Sequence, residues 1–366
     1  MRAEERDSRP HTATRSVQAL EEVAPVVYVV LLNWNGWRDT IECLESVFRL
    51  EGQRFVAVVC DNASSDGSMD RIVAWARGEH AAANTPFLAS APIAKPVAFD
   101  RVSRIEAERG PAVAAPLVLI DNGANLGFAG GCNVGIRYAL TRADCAHVWL
   151  LNNDSVVEPA TLRELVALCE SRPRVGICGS QVRYYDAPQR VQTFGGLLNR
   201  WFCTTHSIAC GVESSMVKAA PAQIDYVPGA SMLVTRAFLE QVGLMAEHYF
   251  LYFEEIDWAE RGRGRFDLAV CRTSLVYHRG AASIGSPADG GERGMRSEYF
   301  LLRGRVLFAK RFYRARLCVV YLGLLASICT RVRRGQWRRA RVALCAAAGI
   351  HPFALGLPAP APAEPG

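Results

Sequence analysis

The sequence lacks both glycine-rich signatures that commonly hold phosphates at the start of a nucleotide-binding fold. The turn after the first hydrophobic run reads NWNGWRD, residues 33–39, without GxGxxG, and GxxxxGK[ST] occurs nowhere in the chain. Because GxGxxG brings a pyrophosphate close to a helix N-terminus, its absence argues against a nicotinamide-type enzyme. A nucleotidyltransferase would carry a Gly-rich basic signature in this same turn, so that class is disfavoured as well.

The chain also lacks a CxxC pair, although it contains twelve cysteines. Most of them, such as Cys60, Cys178 and Cys271, lie inside hydrophobic runs, where a thiol acts as a small apolar side chain. This distribution is typical of reduced cytoplasmic thiols and disfavours a zinc site or a disulfide framework.

The N-terminal part shows neither a secretory signal nor a membrane-spanning segment. Its first apolar run, VAPVVYVVLL at residues 23–32, stops at Asn33 and has no cleavage site. Because this run is too short to cross a bilayer, it predicts a strand that follows a flexible tail, residues 1–24. We therefore expect a cytoplasmic protein.

Length and charge favour one large α/β domain with appendages. The chain has 366 residues, 50% of them hydrophobic, and a net charge of +6. The segment RVRRGQWRRARV, residues 331–342, holds a dense share of the basic residues, which indicates a local basic surface. Only Trp337 interrupts these arginines, so stacking on nucleic-acid bases has no platform and nucleic acid is not the expected partner.

Hydrophobic runs of strand length alternate with segments of helical period. Strands are predicted at residues 26–33, 55–62, 116–122 and 147–154, and helices at 39–50, 68–77, 130–142 and 159–171. Continuous apolar strands separated by crossover helices predict a mostly parallel sheet covered on both faces, an α/β sandwich. Residues 79–115 are predicted to be an insertion outside the sheet, either an exposed loop or a lid, with a helix near DRVSRIEAER.

Polar residues end each of the first four predicted strands. They are Asn33 and Asn35, Asp61 and Asn62, Asp121 and Asn122, and Asn152, Asn153 and Asp154. Each could form an Asx-turn or cap the next helix. Because the carboxyl ends of parallel strands form one edge where ligands bind, the four ends together predict a binding site. The Gly-rich segment NLGFAGG, residues 125–131, follows the third strand and permits close backbone approach to a ligand.

Six segments in this order resemble the family 2 glycosyltransferases of GT-A fold, specifically the rhamnosyltransferase-like branch. They are VVLLNWNGWRDTIECLESV, VVCDNASSDGS, NLGFAGGCNVGI, LLNNDSVVEP, VPGASMLVTRAFLEQVG and YFLYFEEIDWAERGRGRF. The resemblance covers residues 26–310 apart from the insertion and implies a GT-A domain over residues 25–290.

The resemblance implies a nucleoside-diphosphate-sugar site. Asp61 matches the family aspartate that accepts a hydrogen bond from the imide of uracil or thymine, which predicts a UDP- or dTDP-sugar donor. Asn33, Asn125 and Gly127 are expected in the nucleotide pocket, together with the NND segment that contains Asn152 and Asn153.

The NND segment resembles the metal motif of the family, usually Asp-x-Asp. Asp154 would bind a divalent cation, Mg or Mn, and His278 at the end of a later strand would be a second ligand. Asn152 stands where many relatives have Asp, so weaker metal affinity is expected without the donor. Arg279 would be a phosphate contact. The alternative is that the segment caps the following helix and that His278 is a satisfied surface residue.

On the acceptor side the resemblance implies a catalytic base in YFEEIDWAERGRGR. We expect Glu255 to be the base, with Asp257 in reserve and Glu254 beside them. On a helix from Glu254, the side chains of Glu254 and Asp257 share a face, and Glu255 points about 100° away. The alternative is that these acids only stabilise the positive end of the helix dipole.

The C-terminal part, residues 291–352, is predicted to be helical and is followed by a Pro/Ala-rich tail, residues 353–366. Its apolar stretch, residues 317–329, is short for a membrane span and has flanking arginines. It predicts either a helix in the membrane interface, on the inner face of the cell membrane, or a helical hairpin packed on the catalytic domain.

The expected function is inverting, metal-dependent transfer of a sugar, for which the resemblance suggests rhamnose, to a hydroxyl of a cell-envelope or lipid-linked glycan. The alternative is a non-catalytic scaffold that binds nucleotide sugar at the membrane. Acids on both the donor and the acceptor side favour catalysis, since a scaffold does not need them.

Overall fold

The computed structural model describes residues 25–82, 85–88, 93–110, 115–280 and 294–350. The predicted tails, residues 1–24 and 353–366, lie outside this part of the chain. The strands are β1 Val26–Asn33, β2 Phe55–Asp61, β3 Phe99–Ser103, β4 Leu117–Asp121, β5 Cys145–Asn152, β6 Ser155–Val157, β7 Val175–Tyr184, β8 Val191–Thr193, β9 Gly196–Asn199, β10 Thr204–Ser207, β11 Ser231–Thr235 and β12 Asp267–His278.

The helices cover the sheet and extend beyond it at the C-terminal end. They are α1 Trp37–Val47, α2 Ser68–Arg77, α3 Arg104–Arg109, α4 Gly127–Leu140, α5 Thr161–Ser171, α6 Arg236–Val242, α7 Glu254–Gly262, α8 Met295–Phe312, α9 Leu317–Arg333 and α10 Trp337–Ala348.

The main sheet has the strand order β3-β4-β2-β1-β5-β11-β7-β12-β6, with β8 beside β7. Strands β3, β4, β2, β1 and β5 pair in parallel, as their apolar runs predict. In this register Asn33 lies opposite Asp61, and Asp61 lies opposite Asp121. The polar strand ends therefore meet at one edge of the sheet.

The second half of the sheet brings distant segments to the same edge. Strand β11 runs antiparallel between β5 and β7, and β12 runs parallel to β7. The short strand β6 pairs antiparallel with β12, with His278 opposite Ser155. This pairing places the end of β12 beside the NND segment that precedes β6.

The predicted insertion, residues 79–115, is not wholly outside the sheet. It supplies β3, which pairs in parallel with β4 and extends the sheet by one edge strand. The helix expected near DRVSRIEAER is present as α3. A capping box explains its start, because the Ser103 and Glu106 side chains each bond the other residue's backbone N–H. A five-residue strand is too short to give a periodic signal.

Apolar cores fill both sides of the sheet, with Trp75, Trp149 and Trp258 fully buried. The twelve cysteines are free thiols, and nine of them are buried, as their positions in apolar runs predict. Each large apolar side chain that is buried contributes about 1.5–3 kcal/mol to the free energy of unfolding. These two layers therefore fix the positions of the strands.

Helices α8, α9 and α10 form a third core with the segment that precedes α7. Val306, Val320 and Val342 are buried in it together with Tyr249 and Phe253. The predicted C-terminal helices are therefore joined to the functional edge of the domain.

A helix over Arg314–Arg333, 20 residues with a mean hydropathy of 1.6, is long and apolar enough to cross a membrane by length and composition alone. It is longer than the thirteen-residue apolar stretch that the sequence suggested.

Candidate functional site

A cavity of 310 Å³ lies at the carboxyl edge of the sheet. Asn152, Asn153, Asp154 and His278 line one part of it, and Glu254 and Glu255 line another. The predicted metal ligands and the predicted base thus share one cavity, although a hundred residues separate Asp154 from Glu254. The other lining residues that matter below are Trp34, Asn125, Gly127, Gln192, Phe250, Tyr252 and Arg296.

Asp61 and Asn33 do not line this cavity. Asn33 is fully buried, and its amide donates to Asp61 Oδ1 over 2.6 Å. The backbone N–H and the hydroxyl of Ser64 donate to Asp61 Oδ2 and Oδ1 over 2.8 and 2.7 Å. Because a carboxylate offers about four acceptor positions, these three bonds fix Asp61 and leave Oδ2 one further acceptor position.

The turn at Asn125 and Gly127 contacts residues 249–253, the aromatic segment before α7. Gly127 has φ +73°, and a Cβ there would lie 2.4 Å from the carbonyl oxygen of Phe250, so only glycine fits. Asn62, which the sequence shows only as a polar strand end, donates its amide N–H to the Gly127 carbonyl over 3.0 Å. Asn125 Oδ1 accepts from the Gly127 N–H over 3.0 Å.

His278 is held in one orientation by Gln192. Its Nδ1 lies 2.7 Å from Gln192 Oε1, which is an acceptor, so Nδ1 carries a proton that it donates. In the neutral ring the lone pair of Nε2 then faces the Asn152 amide at 3.1 Å and Asp154 Oδ1 at 3.0 Å.

His278 Nε2 and Asp154 Oδ1 both carry lone pairs, and at this distance the lone pairs repel each other. The repulsion is removed when a cation lies between the two atoms, either a proton on Nε2 or a metal ion. Adjacent ligands about 2.1 Å from an octahedral metal are about 3.0 Å apart. The observed 3.0 Å fits this geometry. Within the described residues no group of three or more His, Cys, Asp or Glu side chains is arranged to hold a metal. Any remaining ligands would come from substrate oxygens and water, as is usual for Mg²⁺.

Glu254 and Glu255 begin α7 directly after two strained residues. Tyr252 and Phe253 have φ +66° and +75°, left-handed values that are rare for aromatic residues and cluster at functional sites. Glu254 is 4% exposed, and Oε2 of each glutamate is buried without a hydrogen-bond partner among the described residues. Each carboxyl group therefore has one oxygen to which a ligand could form a hydrogen bond.

Burial raises the pKa of both glutamates. The pKa of Glu255 is about 7 because its carboxylate loses solvation. The pKa of Glu254 is raised well above its usual range by burial and by the charge of Glu255. Burial thus favours the protonated form of Glu254, and Glu255 can exchange a proton near neutral pH.

Asp257 does not line the cavity. It is fully buried, accepts from Arg261 Nε over 2.7 Å and forms an ion pair with Arg311 of α8 over 2.9 Å. The Tyr249 hydroxyl also donates to it. The helical spacing that groups Asp257 with Glu254 therefore misleads, because both adjacent glutamates face the cavity and Asp257 faces α8.

Arg279 is also engaged elsewhere. Its guanidinium lies 3.7 Å from the ring centroid of Tyr185 and pairs with Asp39 and Glu42 of α1. It does not line the cavity, in contrast to the phosphate contact that the sequence suggests. The sequence does not signal Arg296 and Gln192 as lining residues, because neither belongs to a motif and only the tertiary fold brings them to the cavity.

Residues 113–207 match the model of the Glycosyl transferase family 2. The low-salt glycan biosynthesis hexosyltransferase Agl10 of Haloferax volcanii is 30% identical over 167 residues, 43% of this chain and 50% of that protein. The N-acetylglucosaminyl-diphospho-decaprenol L-rhamnosyltransferase of Mycobacterium tuberculosis is 25% identical over 241 residues, 61% of this chain and 78% of that protein. The chain thus spans half the length of the first relative.

The fold is similar to that of a solved glycosyltransferase structure. GalNAc-T7 with UDP, GalNAc and Mn²⁺ superposes with a TM-score of 0.53 at 12% identity, over 82% of this chain and 50% of that one. The predicted GT-A type α/β fold, with a mostly parallel sheet and C-terminal helices, is confirmed. Over residues 113–207 the chain is thus similar to the family 2 glycosyltransferases, and this part contains two of the six motifs, NLGFAGGCNVGI and LLNNDSVVEP.

Proposed function

We propose that this protein transfers a sugar from a nucleoside diphosphate to an acceptor hydroxyl with inversion at the anomeric carbon. One observation carries the proposal: Asp154 and His278 line the same cavity as Glu254 and Glu255. A diphosphate needs positive charge beside its oxygens, which a cation held by Asp154 and His278 would supply. A hydroxyl nucleophile needs a base, which Glu254 or Glu255 would supply. A single cavity with both pairs of residues therefore suits this reaction.

Glu255 is the proposed catalytic base. The acceptor oxygen forms a bond to the anomeric carbon while the bond from that carbon to the diphosphate oxygen breaks, and the hydroxyl proton passes to Glu255. Burial and the charge of Glu255 raise the pKa of Glu254, and in its protonated form Glu254 can donate a hydrogen bond to the acceptor. A base with a pKa near the working pH is the efficient choice for such a proton transfer.

Asp154 Oδ1 and His278 Nε2 would hold the divalent cation, Mg or Mn, which would neutralise charge on the departing diphosphate. The 3.0 Å separation of the two atoms supports this assignment. Asp61 would accept from the imide of uracil or thymine, with Asn33 fixing its carboxylate, and the turn at Asn125 and Gly127 would border the nucleotide. The named rhamnosyltransferase relative supports rhamnose as one donor sugar to test first.

A cytoplasmic enzyme on the inner face of an anionic membrane, acting on a lipid-linked or cell-envelope glycan, is the proposed setting. Helix α9 exposes an apolar stripe at helical spacing, formed by Cys318, Leu322, Leu325 and Cys329. On α10, Trp337 is 66% exposed, and several arginines beside it are also exposed. Apolar and aromatic side chains mixed with arginines suit the interface of an anionic bilayer.

The β9–β10 turn adds aromatic residues to this face. Trp201 and Phe202 are 61% and 43% exposed. The Arg316 guanidinium, at the start of α9, lies 4.6 Å from the Trp201 ring centroid, and a Cβ at Gly323 of α9 would lie 3.4 Å from the Phe202 ring.

The proposal is tested by protection from thermal unfolding and by donor hydrolysis. A panel of UDP- and dTDP-sugars, with and without Mg²⁺ or Mn²⁺, should contain at least one donor that raises Tm and is hydrolysed only with metal. Glu255→Gln should keep the Tm shift and lose transfer. If no donor shifts Tm, the enzyme proposal fails; if Glu255→Gln transfers normally, the base is wrong; if the wild type binds but never turns over, the scaffold alternative is favoured.

A further inference from the structure

A second cavity, of 680 Å³, lies beside the catalytic cavity. Its walls come from residues 248–251, from α8 and from the end of α10. Five residues line both cavities, namely Trp34, Asn125, Phe250, Leu251 and Arg296. A ligand in the second cavity would therefore be separated from the catalytic one by a single layer of side chains.

The wall formed by α8 combines aromatic rings with two guanidinium groups. Arg296, Tyr299, Phe300 and Arg303 all line it, and their spacing of three, four and seven residues places them on one helical face. The Phe300 ring stacks on Phe250 with centroids 4.8 Å apart. The described residues that line this cavity include no carboxylate, so its charge is positive.

At this wall Arg303 lies close to the end of α10. A Cβ at Gly349, which ends α10 with φ +77°, would lie 2.8 Å from Arg303 Nη1. The guanidinium thus lies between the cavity and the C-terminus of α10. The competing explanation is that Arg303 only complements the negative end of the α10 dipole.

We propose that the second cavity binds the diphosphate-linked apolar carrier of the acceptor, with phosphate oxygens on Arg296 and Arg303 and the chain along the aromatic wall. Seven helical residues separate the two arginines by about 10.5 Å along the axis, and both guanidinium groups line the same cavity. This inference rests on the proposed function: the sugar of the acceptor would enter the catalytic cavity while its carrier stays in the second one.

The test uses geranyl diphosphate as the probe, with geraniol and inorganic diphosphate as the two partial ligands. Binding is followed by calorimetry in the presence of saturating UDP or dTDP with Mg²⁺, so that the catalytic cavity is already filled. The intact probe should bind at least about tenfold more tightly than either partial ligand, because both the charged and the apolar contacts are needed.

Arg303→Gln should weaken binding of geranyl diphosphate by about tenfold and leave binding of geraniol unchanged. Lys310→Gln, which removes an exposed charge from the same helix, is the matched control and should bind the probe like the wild type. Arg303→Lys should restore part of the affinity. A merely structural role of Arg303 would instead lower Tm and leave the preference for the diphosphate intact.

The inference is overturned if nucleotide displaces the probe, if Arg303→Gln binds it normally, or if geraniol binds equally well. If inorganic diphosphate matches the probe, the site takes a free anion and not a carrier lipid, which also contradicts the inference. Failure of the proposed function would give a different result, namely that no nucleotide sugar binds. In that case binding of geranyl diphosphate can still be measured without nucleotide.

Discussion

At the residue scale, the pKa of Glu255 connects burial to catalysis. Burial raises this pKa to about 7, and a base acts only when it is deprotonated. We therefore expect kcat/KM to rise with pH through about 7 and to level off above it. Initial rates between pH 5.5 and 8.5 at saturating metal measure this dependence. A profile that falls through pH 7 would contradict the assignment.

The same carboxyl group should make the folded protein less stable as pH rises. Because its pKa is raised on folding, the native state binds more protons than the unfolded state between about pH 4.3 and pH 7, and the free energy of unfolding declines over that window. Glu255→Gln cannot ionise, so the amount by which its Tm exceeds that of the wild type should be larger at pH 8 than at pH 5. Equal Tm values at both pH values would show that the carboxyl group is not buried.

Asp257, in contrast to Glu255, should stabilise the fold and take no part in the reaction. It is fully buried and pairs with Arg261 and Arg311. Asp257→Asn removes the charge and should lower the free energy of unfolding by about 2–4 kcal/mol, measured by urea denaturation. Asp267→Asn is the control, because its ion pair with Arg174 is exposed and contributes about 0–1 kcal/mol. If Asp257→Asn is stable but inactive, Asp257 is catalytic after all.

At the element scale, α8 supports the strained turn that presents the glutamates. A Cβ at Gly304 would lie 2.9 Å from Phe253 Cδ2 and 3.1 Å from the Tyr252 carbonyl oxygen. Gly304→Ala gains about 1 kcal/mol of helix propensity but must displace this turn. Because small misplacements of reacting groups are costly, kcat should fall roughly 10- to 100-fold.

Gly323→Ala is the control for Gly304→Ala, since it removes a glycine from the interior of α9. Its Cβ would meet the end of the flexible Arg305 side chain at 2.9 Å, which can move aside. Donor binding, measured as the Tm shift, should be unchanged in both variants. Equal activity of the two variants would mean that the turn does not need support from α8.

The strands and helices that contain long apolar runs could be predicted from the sequence. β1 and α2 match their predicted bounds, and β12 ends at His278 as expected. The edge strand β3 was missed because five residues give no clear period. The orientation of Asp257 was also missed, because an ideal helix says which residues share a face and not which face meets the cavity. That choice depends on α8, whose Arg311 attracts Asp257.

At the scale of the whole molecule, the resemblance and the strand-end pattern predicted the site better than composition could. The polar strand ends converge because parallel pairing aligns them. The pairing of His278 with Gln192 depends on β8 lying beside β7, and no local pattern in a three-residue strand gives that. Gln192 and Arg296, which belong to no motif, are therefore brought to the cavity by tertiary pairing that the sequence does not show.

The exposed face of the C-terminal helices should bind anionic membranes. Sedimentation with vesicles that contain phosphatidylglycerol should pull down the protein at low salt, and vesicles of phosphatidylcholine alone should not. Arg338→Gln with Arg341→Gln should weaken the partition by roughly 30-fold, because each arginine near the surface contributes about 1 kcal/mol. Leu322→Asn with Leu325→Asn should weaken it through lost apolar contact.

Arg77→Gln with Arg109→Gln is the matched control for the arginine pair, because both residues are exposed and lie on α2 and α3. It removes the same charge from the catalytic domain and should bind vesicles like the wild type. Because a Debye length is about 8 Å at physiological salt, raising the salt to 1 M should release a surface-bound protein. Binding that resists both high salt and alkaline carbonate would instead mean that α9 inserts across the bilayer, which contradicts docking on its surface.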